Sequence, residues 1–102
     1  MIEVNRVQTG VRMEAALLKV LKGLAEYKNL GLGDLLEGIC LHALEGKAAF
    51  SRETIEQIAR LKQIYGLTLT AEDSHRLIES PKSASSKPAA AAKAAIRPRR
   101  RS

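Results

Sequence analysis

Hydrophobic and polar positions alternate at the start of the chain. Between Glu3 and Met13, an extended backbone would place Val7, Thr9, Val11 and Met13 on one side and Arg6, Gln8, Gly10 and Arg12 on the other. A period of two with β-branched residues predicts a half-buried strand. The period then changes. In EAALLKVLKGLAEYK (14–28), Leu17, Val20, Leu21, Leu24 and Lys28 recur at helical spacing among strong helix formers. Asn29, which tolerates the left-handed conformation, closes that helix. GLGDLLEGICLHALEG (31–46) gives the clearest signal: Leu32, Leu35, Leu36, Ile39, Cys40, Ala43 and Leu44 form one continuous apolar stripe. Asp34 and Glu37 suit the positive end of this second helix, and Gly46 stops it.

Ser51 is placed to cap a third helix, RETIEQIARLKQIY, with Glu53 in its first turn and Gly66 after its end. Ile55, Ile58, Leu61 and Tyr65 make a narrower stripe. Thr70, with Asp73 three positions on, predicts a short fourth helix through about Glu79, ended by Ser80-Pro81. The expected organisation is mainly α: a strand-helix-helix unit over 1–46, a helical appendix over 47–79 and a tail over 80–102.

A lone strand leaves its backbone donors and acceptors unpaired, and no convincing mate is visible elsewhere, since Leu67-Thr68-Leu69 is too short. The pattern therefore predicts an obligate homodimer in which the strand pairs with its own copy. Val7, Val11, Met13, Leu21, Leu35, Leu36 and Ile39 would form the shared core, which a domain this small needs.

Charge changes the picture at the C-terminal end. The net +6 is not spread evenly: from Ser80 onward there are seven cations, Lys82, Lys87, Lys93, Arg97, Arg99, Arg100 and Arg101, and no acid. Removing them from the totals leaves ten basic against eleven acidic residues in 1–79, a body of net −1. The tail is Ser, Pro, Ala and cations, a composition that predicts disorder. A flexible polycation attracts polyanions and releases the counterions condensed on each phosphate it neutralises, so nucleic acid is the expected partner and an anionic membrane the second. With no Trp and only Tyr27, Phe50 and Tyr65 as aromatics, recognition of unpaired bases by stacking is not expected.

The segment RVQTGVRMEAALLKVLKGLAEYKNLGLGDLLEGICLHALEG (6–46) resembles the ribbon-helix-helix DNA-binding proteins, the Arc/MetJ-type repressors. The likeness rests on element order and spacing: an alternating strand, a helix, an Asn29-Leu30 turn and an apolar-striped second helix. It implies an intertwined dimer whose two strands form a ribbon entering the DNA major groove. It maps the base-contacting positions onto Arg6, Gln8, Gly10 and Arg12. Arginine can donate two bonds to guanine O6 and N7, and glutamine can pair with adenine N6 and N7. The resemblance also implies a phosphate held at the start of the second helix, on Gly31, Leu32 and Gly33. Two positions depart from the family pattern. Gly10 offers no side chain where a polar reader is usual, and Gly31 replaces the usual Ser or Thr.

Other chemistry is sparse. Cys40, the only cysteine, excludes an internal disulfide and lies in the apolar stripe, where a buried packing residue is expected. His42 falls opposite that stripe and is expected to be exposed. Asp73-Ser74-His75 has the letters of a catalytic triad, but adjacent helical residues point about 100° apart and cannot form one. No cofactor, no metal and no enzymatic activity are expected. No apolar run reaches the ~20 residues of a membrane span, and no secretory signal is visible, so the expected setting is cytoplasmic and nucleoid-associated. The expected function is a homodimeric, sequence-specific transcriptional regulator bound to double-stranded DNA, its tail adding phosphate contacts. The alternatives are an antitoxin-like adaptor docking a protein through residues 50–79, and a nonspecific nucleoid protein acting through the tail.

Overall fold

In a computed structural model of the chain, which describes residues 1–80, the helical stretches of the sequence pattern become three α-helices: α1 (Ala15–Tyr27), α2 (Leu32–Leu44) and α3 (Arg52–Tyr65). The chain divides into two units, Met1–Thr68 and Leu69–Ser102. The first contains all three helices, so α3, which the sequence grouped with an appendix, belongs with α1 and α2.

Local chemistry sets each helix boundary. At the start of α1 the Leu17 N–H donates to Glu14 Oε1 (2.7 Å). Ser51 Oγ accepts from the Thr54 N–H at the start of α3 (3.2 Å). Gly31 supplies no such bond at α2. All three helices then stop in the same way, on a residue in the left-handed conformation: Asn29 (φ 59°), Gly46 (φ 71°) and Gly66 (φ 72°). Beyond each, an N–H reaches back to a carbonyl near the end of the helix: Leu30 to Ala25 (2.9 Å), Lys47 to His42 (2.8 Å) and Leu67 to Lys62 (2.9 Å). These are Schellman closures, which satisfy carbonyls the helix itself leaves orphaned.

The core is small. Val20, Leu24 and Ala25 of α1, Leu35 of α2 and Leu61 of α3 are its buried hydrophobic residues, with Leu21, Ile39, Phe50, Ile58 and Leu67 packed against them. Helix α1 is the hub, touching both α2 and α3. Thr54 is buried as well, and the Ser51 hydroxyl donates to its Oγ1 (3.2 Å).

The N-terminal strand is not observed. Residues 1–14 form neither helix nor strand, and there is no strand among the described residues, so the ribbon-helix-helix architecture is overturned. Alternation makes a segment compatible with a pleat, but a strand exists only where a neighbour completes its hydrogen-bond ladder. Among the described residues there is no such neighbour. Met13 is half-buried, whereas Val7 and Val11 stay 84% and 75% exposed. The fourth helix is also corrected. Its opening signals produce one 3₁₀ turn, Ala71–Asp73, where the Thr70 N–H donates to Asp73 Oδ2 (2.8 Å). Ser74 is then extended and His75 left-handed (φ 66°), which ends the turn. Leu77 and Ile78 lie exposed beyond it, so no apolar face sustains a longer helix.

Helix α2 departs from expectation in a third respect. Of its continuous stripe only Leu35 is buried. Leu32, Leu36 and Ile39 are half-buried, and Cys40, Ala43 and Leu44 are exposed. At 100° per residue Cys40 stands about 140° around the helix from Leu35, and Leu44 about 180°. Helix α1 packs against one flank of so wide a stripe, and Cys40 is exposed rather than buried. Among the described residues no helix is long and apolar enough to cross a membrane.

Candidate nucleic-acid interface

The sequence nominates two groups of residues within the described part of the chain, and a third group, the tail cations Lys82, Lys87, Lys93, Arg97, Arg99, Arg100 and Arg101, that lies outside it. The first group is the arm that precedes α1. Gln8, Gly10 and Arg12 are exposed, and Gly10 has nothing within 4 Å of where a Cβ would stand.

Arg6 is different. Its Nε donates to Glu37 Oε2 (2.9 Å) and its Nη2 to Glu37 Oε1 (2.8 Å), a two-pronged contact with one carboxylate. The same Nη2 also reaches Asp34 Oδ1 (3.2 Å). Asp34 and Glu37 stand three apart on α2 and therefore share a face, which is why one guanidinium engages both. The hydrogen bond from Arg6 holds the Glu37 carboxyl below its ordinary range; desolvation opposes it, and the charge of Arg6 adds a lesser lowering. The partner shift is reciprocal: Glu37 first, through the hydrogen bond and its charge, and then Asp34 raise the Arg6 guanidinium above its usual value.

The second group sits at the start of α2. Gly31 and Gly33 are exposed and Leu32 is half-buried. This terminus presents unpaired N–H groups and the positive end of the helix dipole, but it is already supplied with a negative charge. Asp34 lies in the first turn, with Oδ2 3.8 Å from where a Cβ on Gly31 would be. An incoming phosphate would meet that carboxylate, so Gly31, Leu32 and Gly33 are not brought together as an unobstructed anion cradle.

The pairing of Arg6 with α2 was missed by the sequence reading, which assigned Asp34 and Glu37 only to the helix dipole. The available signal was their i, i+3 spacing beside a segment carrying exposed arginines. The residues named for a shared core divide likewise. Leu35 is buried within the chain and Leu21 and Ile39 pack against the same core, Leu36 and Met13 are half-buried, and Val7 and Val11 remain uncovered.

The remaining chemistry-bearing residues are tied into local structure. The Ser74 hydroxyl donates to the Ala71 carbonyl (2.8 Å) and Asp73 accepts from Thr70, so the Asp73-Ser74-His75 run is turn architecture. His42 is exposed, with Nδ1 2.7 Å from the Gly38 carbonyl one turn earlier. Among the described residues no group of three or more His, Cys, Asp or Glu side chains is arranged to hold a metal ion. No protein-family model matches the chain, and no curated protein or solved structure matches it.

Proposed function

We propose that this chain is a homodimeric regulator that binds double-stranded DNA, reading bases with the arm and holding phosphates with the tail. The observation that carries the reading is the exposed arm. Residues 1–12 are all exposed although Ile2, Val4, Val7 and Val11 are aliphatic. Apolar side chains left in water at this density favour burial against another surface. Leu41 and Leu44 of α2 are exposed too, and the core that the chain buries by itself is small for independent stability. A second copy supplies matching apolar surface and doubles the number of arms. On those arms Arg6, Gln8 and Arg12 carry the donor types that discriminate bases in the major groove, and seven acid-free cations follow the body.

The test is duplex binding across a salt series. Full-length chain should bind duplexes with a steep salt dependence, and removal of residues 80–102 should flatten the log-affinity against log-salt slope by up to about six. The tailless chain should still prefer some duplexes at low salt. Absence of any preference would overturn the regulator reading. An adaptor docking another protein through residues 50–79 would then gain, a reading favoured by the exposure of Leu77 and Ile78.

A further inference from the structure

Arg6 meets α2 through the edge of its guanidinium that carries Nε and Nη2, setting two N–H groups against the two oxygens of Glu37. The same side-by-side pair of donors is what arginine offers to O6 and N7 of guanine. One edge serves one pair of acceptors at a time. We propose that Glu37 and Asp34 form an intramolecular latch that holds Arg6 away from duplex DNA, so that release of the arm and base contact by Arg6 are a single exchange. The inference rests on the DNA-binding reading above and adds a means of regulating it.

The geometry suits an openable contact. All three side chains are about half exposed, so the pair is screened by salt and is weak compared with a buried one. Yet it is more than a chance encounter of charges, because one carboxylate is gripped twice and a second shares the Nη2 group. Displacement by DNA leaves two unneutralised carboxylates on α2, which then repel nearby phosphates. That repulsion sets the docked arm and the bound duplex against each other. A simpler role is open to the same residues, in which Arg6 merely masks acidic charge. The two roles differ in whether the effect of the acids depends on Arg6.

A double-mutant cycle on the full chain separates them. The probe is the duplex recovered by selection from a random-sequence pool with the wild-type chain, and affinity is read by fluorescence anisotropy at low salt. Under the latch, Glu37→Gln tightens binding about two- to fivefold, the range expected for releasing an exposed ion pair. Arg6→Gln weakens binding, and Glu37→Gln gives a clearly smaller gain in the Arg6→Gln background, where only the repulsion of phosphates by the carboxylate remains to be relieved. Asp34→Asn shows a smaller gain with the same dependence on Arg6. Because these side chains are exposed, helix content by circular dichroism stays unchanged in every variant. Between wild type and Glu37→Gln the Arg6 Nε–H resonance should move toward that of a solvated arginine, which reports the latch without DNA. Equal gains in both backgrounds, or a gain in neither, would overturn the latch while leaving DNA binding intact. If the wild-type chain selects no duplex at low salt, the DNA-binding reading falls and the latch falls with it.

Discussion

Gly23 of α1 faces Leu61 of α3 so closely that a Cβ built on the glycine would stand 3.0 Å from Leu61 Cδ2 and 3.6 Å from the Tyr65 ring. The missing side chain is what lets α1 and α3 approach and bury Leu61. Gly38, also inside a helix, has nothing within 4 Å of the same position. The two glycines should therefore respond differently. Gly38→Ala should stabilise the fold by about 0.5–1 kcal/mol, the difference in helix propensity and unfolded-chain entropy. Gly23→Ala should lose most of that gain to the contact, and Gly23→Leu should destabilise by about 1–3 kcal/mol through overpacking. Urea denaturation of the three variants against wild type measures the order.

The sequence made α1, α2 and α3 and their ends legible because those depend on local chemistry, whereas the expected fourth helix shrank to one 3₁₀ turn. Asn29, Gly46, Ser51 and Gly66 act at the positions where the pattern placed them, since caps and left-handed closures involve residues within one turn of each other. The strand was not legible in the same way. Alternation at Val7, Thr9 and Val11 states a preference that only a pairing neighbour can fulfil, and there is none among the described residues. The burial of Cys40 was misjudged for a related reason: a stripe shows which face is apolar, not how much of it a neighbour covers. The grip of Asp34 and Glu37 on Arg6 spans about thirty residues of sequence, beyond the reach of any local pattern. The pairing of α1 with α3 was hidden too, because the narrow stripe of Ile58 and Leu61 does not name its partner.

Asn29 offers a direct test of the turn that joins α1 to α2. It holds φ 59°, and both the Asn29 and Leu30 N–H groups close onto α1 carbonyls, Glu26 (3.1 Å) and Ala25 (2.9 Å). An L-residue with a Cβ resists this conformation unless, like asparagine, it is adapted to it. Stability should fall in the order glycine, asparagine, alanine, valine at this position, with Asn29→Ala costing about 1 kcal/mol. The same denaturation assay reads it, and an alanine variant as stable as wild type would show that the closure carries no strain.

Docking of the arm should be lost on the acid side only. A carboxyl held below its ordinary range, as Glu37 is by Arg6, contributes docking that is complete above that range and disappears as pH falls through the lowered value. The raised guanidinium of Arg6 works in the opposite sense, its contribution complete below its ordinary value and lost only as pH rises through a higher one, beyond the usual assay range. The Arg6 Nε–H resonance should thus be constant from neutral pH down to the carboxylate range and then shift to that of a solvated arginine. In Arg6→Gln, the Glu37 titration observed by NMR should move back up to the range of an ordinary glutamate. A Glu37 titration identical in the two proteins would mean that the ion pair does not persist in solution.

Val7 and Val11 bear on self-association. Neither contributes to the core of the single chain, where they are 84% and 75% exposed, so replacing them with serine should leave the helices of an isolated chain unchanged. If their burial helps to hold two copies together, the Val7→Ser, Val11→Ser double variant loses favourable apolar transfer at both arms of the dimer. A fully buried valine contributes about 1.5 kcal/mol, and the variant loses two valines from each of two arms. Its dissociation constant should rise about tenfold where one of the four is fully buried and by about four orders of magnitude where all are. Leu24→Ala is the contrasting variant: Leu24 is 1% exposed, and its truncation should cost about 2–5 kcal/mol of folding stability. Sedimentation across a concentration series, with circular dichroism on the same samples, separates the two losses. Weakened association with intact helicity in the arm variant supports the dimer, and an unchanged sedimentation profile removes the arm from any dimer contact.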